Sequence, residues 1–165
     1  MTDAINFDDY VLGDAPEPAQ LIRGLYGAKL EKVEFDLSSR KKSPYYQFVF
    51  KTLEVKEVDE DELEEAGGAE ELIGKQVRSE QFWFSDKVLY KLARFVHGVG
   101  IDYNAEMKGQ GAGKGRDLVT ERLDGEELEV FIVRQPVERP DGSRATDEEG
   151  NPITRAVVSS VRLAA

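Results

Sequence analysis

Apolar residues alternate with polar ones along most of this chain, the period of a strand with one face buried. From Ile22 to Leu37 the alternation is clearest at Ala28, Leu30, Val33 and Phe35, and Gly24 and Gly27 predict bends or bulges in a long strand. Tyr45 to Val55 is dense in aromatic and β-branched residues and predicts a second strand, paired with the first as an antiparallel hairpin across the basic turn Ser38 to Pro44. A third strand, Gln76 to Phe84, places Arg78, Glu80, Phe82 and Phe84 on one face and Val77, Ser79, Gln81 and Trp83 on the other. The period then changes. Val88, Leu89, Leu92, Phe95 and Val96 recur at helical spacing, with Ser85 as the expected N-cap, Asp86 in the first turn and Gly98 as the stop. Two closing strands, Glu127 to Val137 and Ile153 to Leu163, flank a hairpin tip that contains Arg139-Pro140-Asp141-Gly142 and Thr146 to Asn151.

The resulting order is three strands, a helix and two strands. It predicts a mainly β fold, a five-stranded OB-like antiparallel barrel with one helix between strands three and four, in which closure removes exposed edges. A length of 165 residues fits one domain with tails. The expected division is an acidic N-terminal arm over residues 1–20 and an OB-like domain over residues 21–165. That domain carries an acidic insertion at 57–71 and a flexible basic Gly-rich loop at 104–117.

Charge sharpens this division. The net charge is −11, yet residues 1–20 carry five acids and residues 57–71 nine, with no Lys or Arg in either, so the remainder has 22 bases against 19 acids. Acidic blocks repel themselves, and both are expected to be solvated rather than packed, the second with a short helix over Glu60 to Ala66 before Gly67-Gly68. The body is mildly basic, which keeps a nucleic acid open as a partner.

Candidate chemistry is sparse. With no cysteine there is no thiolate nucleophile and no thiolate-ligated metal, and a reducing cytoplasm is the expected location. No signal peptide or membrane span is expected either. The single histidine, His97, closes the predicted helix and has no second histidine to form a site with. The acidic insertion lacks the spacing of a calcium loop. The glycines from Gly109 to Gly115 lack the spacing of a phosphate cradle, because Lys108 and Gly115 stand where that motif needs Gly and Ser or Thr. The expectation is a binding protein with no catalytic activity, cofactor or metal.

Aromatic residues interleaved with cations and amides give the positive signal. Binding a single strand needs rings for bases to stack on and cations along the phosphate path. Tyr45, Gln47 and Lys51 share one face of the second strand, opposite Tyr46, Phe48 and Phe50. Trp83 is the second stacking candidate, with structural packing as its alternative. Lys41, Lys42, Arg78, Arg134, Arg155 and Arg162 are the candidate phosphate contacts. The competing reading is a non-catalytic interaction or virion protein that docks a partner through the barrel edge and the acidic segments.

Three stretches together resemble phage-encoded OB-fold single-stranded DNA-binding and replication-associated proteins: GLYGAKLEKVEF followed by YYQFVFKTLEV, then FWFSDKVLYKLARFVHGVGID, then LDGEELEVFIVRQPVERPDG with ITRAVVSSVRL. The resemblance spans roughly residues 21 to 163 and is one of pattern. It implies a role in coating single-stranded DNA during phage replication or recombination, in the host cytoplasm. Many such proteins recruit partners through an acidic C-terminal tail, whereas this sequence closes on Val161 to Ala165, so replication or recombination proteins are expected to meet the acidic N-terminal arm instead. A homodimer is left open.

Overall fold

The computed structural model describes residues 12, 19–37, 43–139 and 141–164. Among these described residues there are six strands: β1 (Gly24–Leu37), β2 (Pro44–Val58), β3 (Gln76–Ser79), β4 (Phe82–Trp83), β5 (Leu128–Pro136) and β6 (Thr154–Leu163). The helices are α1 (Glu60–Glu65), α2 (Leu89–His97) and α3 (Ala112–Leu123). The fold is mainly β, and its sheet is mixed. β1 pairs antiparallel with β2 and β5, β5 with β6, and β2 with β3, while β3 pairs with β6 in parallel, so the pairings run round into a ring. Among the described residues, no helix is long and apolar enough to cross a membrane.

Glycine shapes β1 where the sequence pattern predicts bulges. The β1–β2 register shifts between Leu25 and Tyr26 and again between Gly27 and Ala28. A Cβ at Gly24 would lie 2.3 Å from the Glu57 carbonyl oxygen, at a φ of 153°. Only glycine lets the two backbones approach this closely. At Gly27 the bare backbone lies beneath Lys56 of β2, whose ammonium reaches Glu129 of β5 at 3.2 Å across β1.

The inside of the ring is filled by Phe48, Phe50 and Phe82 and closed by α2, which inserts Leu92, Phe95 and Val96. The Phe95 ring lies 4.8 Å from those of Phe48 and Phe82, so the periodic apolar stripe in the sequence is the core face of a plug. Ser85 does not cap α2 with its side chain. Its carbonyl accepts the amides of Val88 and Leu89 in a turn that leads into the helix. His97 is exposed in the last turn.

Three segments differ from expectation. The predicted third strand breaks at Glu80 and Gln81 into β3 and β4, giving six strands in place of five. The acidic segment 57–71 carries the expected short helix but is also packed: β2 extends through Val58, and Asp59 caps α1 by accepting the Glu62 amide at 3.0 Å. A short 3₁₀ turn, Ala69–Glu71, then delivers Leu72 to the core, fully buried. The acids of the segment stay exposed, and Leu63 and Ala66, packed against the core, supply what the charge count overlooks.

The glycine-rich stretch 104–117 is not a loop throughout. A π-helical turn at Tyr103–Met107 leads into α3, so two helices stand between β4 and β5. Each glycine costs a helix roughly 1 kcal/mol against alanine. Tertiary packing outweighs that cost, because Gly115, Val119 and Leu123 fall on one buried face. At Gly115 the helix backbone comes so close to the Tyr46 hydroxyl that a Cβ would sit 2.9 Å from it, and that hydroxyl donates to the Ala112 carbonyl.

Candidate nucleic-acid interface

The break at Glu80-Gln81 decides which side chains share a face. An uninterrupted strand would set Arg78 and Trp83 on opposite sides of the sheet. In the structure β3 places Val77 and Ser79 inside and Arg78 outside, and β4 then buries Phe82 and turns Trp83 outward. The ladder confirms the parity: Tyr45 pairs with Trp83, Val49 with Arg78 and Lys51 with Gln76. Directly paired residues project to the same side, so Tyr45, Gln47, Lys51, Arg78 and Trp83 share one outer face.

Ser79 holds the break in place. Its buried hydroxyl accepts the Phe48 amide at 3.0 Å and donates to the Glu80 carbonyl at 2.8 Å. A side chain thus takes over where the β2 ladder loses its backbone partner. Gln47 donates to the Ser79 carbonyl at 2.8 Å, which fixes its amide on the outer face beside the break.

Tyr45 and Trp83 are both half-buried, with ring centroids 5.0 Å apart at 63°. Each ring supports the other edge-on, a geometry that holds aromatic planes at a defined angle. β1 adds Lys29, Lys32, Glu34 and Asp36 at register positions beside this face. Arg78 is ion-paired to Glu34 at 3.0 Å, both partly exposed, so the pair is worth little energetically and opens at small cost. Val49 and Val157 are buried outside the main core and flank Arg78 on either side.

The remaining nominated residues divide. Arg155 is exposed on β6 and lines a cleft of about 450 Å³ together with Gln47 and Arg78. Arg134 lines the same cleft, but its guanidinium donates to the Thr154 hydroxyl and carbonyl, the Leu21 carbonyl and the Gln20 side chain at 2.6 to 3.1 Å. It anchors the segment that enters β1 as well as lining the cleft. Arg162 pairs with Glu129 at 2.9 Å, in the cluster that includes Lys56. Lys41 and Lys42 lie outside the described residues.

Sequence reasoning missed Lys75, a fourth cation of the cleft. Its position is set by buried Thr52, whose hydroxyl accepts the Lys75 amide at 3.0 Å and whose own amide donates to the Lys75 carbonyl at 2.9 Å. The signal was a threonine at an inward position of an otherwise aromatic strand, which needs a polar partner. Compared with known proteins, the chain matches no family model and no curated protein sequence.

Proposed function

We propose that this chain binds single-stranded DNA without covalent chemistry, on an OB-like barrel, in phage-type DNA replication or recombination. The observation that carries the reading is the Tyr45–Trp83 ring pair, half exposed on a sheet face that also bears Lys51 and Arg78. Bases of any sequence stack on aromatic planes, while cations beside them follow the phosphates. The barrel part of the reading is supported by the ring of pairings from β1 through β2, β3, β6 and β5, with its single parallel join.

The test is titration of the full chain with oligo-dT while Trp83, the single tryptophan, reports by fluorescence. Quenching is expected, with an affinity that falls as salt rises by a log–log slope of about −0.7 per phosphate neutralised. Unchanged emission together with no gel shift at low salt would overturn the proposal.

A second reading is favoured by the acids on the same face, Glu34 and Asp36. In it the face docks another protein, and a pull-down that recovers a protein partner while labelled oligonucleotide stays free would select it.

A further inference from the structure

β3 and β6 are joined by two residue pairs alone, Arg78 with Val157 and Ser79 with Val158. Ahead of that join the strands part, and the segment Ala19 to Leu21 borders the opening. The result is a cleft of about 450 Å³ whose lining, among the described residues, includes Lys75, Arg78, Arg134 and Arg155 and no Asp or Glu. Acids outnumber bases 33 to 22 in the chain, so a described lining with four cations and no acid runs against its composition.

We propose that this cleft is a phosphate-binding site, in which Lys75 and Arg155 contact the anion and Arg134 supplies a fixed positive charge behind them. The inference deepens the single-strand reading as to where a phosphate is held. The chemistry of the cleft itself does not depend on that reading.

Arg134 carries the argument. Its four hydrogen bonds go to neutral oxygens, and no carboxylate pairs with it among the described residues. Burial pushes its pKa down. Such a charge is unfavourable in the empty protein and becomes favourable when an anion arrives. Arg78 is shared with Glu34, whereas Lys75 and Arg155 have no ion pair among the described residues. Four cationic residues lining one cleft suit an anion with several acceptor oxygens, which is phosphate rather than a lone carboxylate. The phosphate can come from a DNA strand or from a free nucleotide.

The test uses backbone amide spectra of the full chain during titration with inorganic phosphate, against chloride at equal ionic strength. Saturable shifts confined to the cleft lining, Ala19–Leu21, Gln47, Lys75–Ser79, Arg134 and Thr154–Val157, are expected, and Arg155→Gln, a change at an exposed residue, weakens them at least about tenfold with Tm unchanged. Parallel titrations with thymidine monophosphate and with oligo-dT carrying or lacking a 5′-phosphate identify the source. Shifts equal to those in chloride, or shifts located elsewhere, overturn the site. So does binding that appears only after the arm acids Asp3, Asp8, Asp9, Asp14 and Glu17 are changed to amides, because the resident anion is then the chain's own arm. Trp83 does not line the cleft, so loss of its quenching by oligo-dT with phosphate shifts retained removes the stacking surface and leaves the site standing.

Discussion

Tyr45 and Trp83 are direct cross-strand partners on the outer face of the sheet, their rings 5.0 Å apart and neither buried. If bases stack there, Trp83→Ala and Tyr45→Ala each lower oligo-dT affinity by roughly 1–3 kcal/mol, about five- to 150-fold. Phe82→Ala, one residue away in the core, instead lowers stability by about 3–5 kcal/mol. Anisotropy of labelled oligo-dT and urea denaturation separate the two effects.

Ser79→Ala leaves the Phe48 amide buried without its acceptor. An orphaned buried donor costs about 1–3 kcal/mol, seen as a lower urea midpoint with an unchanged slope. Because the same hydroxyl holds the break that turns Trp83 outward, Trp83 emission of the folded variant is expected to shift as well.

Gly115 and Gly113 lie two residues apart in α3 and respond oppositely to alanine. Gly115→Ala forces a Cβ to 2.9 Å from the Tyr46 hydroxyl and costs about 1–3 kcal/mol. Gly113→Ala meets nothing within 4 Å and stabilises the helix by about 0.4–1 kcal/mol. Thermal melts of the two variants give shifts of opposite sign.

Stability falls at both ends of the pH scale, for separate reasons. Burial pushes the Tyr26 hydroxyl up from 10.0 to about 12, although the Ile22 amide, which donates to its oxygen, pulls the other way. Between those values the unfolded chain ionises first, so this contribution is complete below pH 10 and is lost as pH rises toward 12. At the acid end, Arg162 and Lys56 hold the Glu129 carboxyl below its ordinary value of 4.5, so its contribution is present above that value and lost as pH falls through the lowered one. Urea midpoints measured across pH for Tyr26→Phe and Glu129→Gln are expected to flatten the alkaline and acid limbs respectively.

Much of this architecture was legible because strand and helix periods are strong signals where one face is buried. Phe48 and Phe50 in β2, and Leu92, Phe95 and Val96 in α2, pack inside as alternation and helical spacing predict, while Ala28 and Val33 of β1 both reach the inside because the register shifts between Leu30 and Lys32. The break after Ser79 was not legible, since a serine hydroxyl replacing a ladder bond leaves no mark in the apolar pattern. Missing it assigned Arg78 and Trp83 to opposite faces. The helix α3 was hidden behind its glycines, because propensity argues against it and only contact with Tyr46 explains why Gly115 is needed. Arg134 and Arg162 could be nominated as cations from sequence. Their partners come from β6, the entry to β1 and β5, which sequence separation conceals.

The parallel join between β3 and β6 consists of two residue pairs, whereas β1 and β2 are laced together along nearly their whole lengths. A hoop yields at its clasp. Local opening should therefore begin between Arg78 and Val158, where few hydrogen bonds resist it, and amide protons there should exchange with solvent sooner than those of β1. Whatever spans that clasp would tighten the whole hoop, so a molecule seated at one small place could slow exchange in strands it never touches.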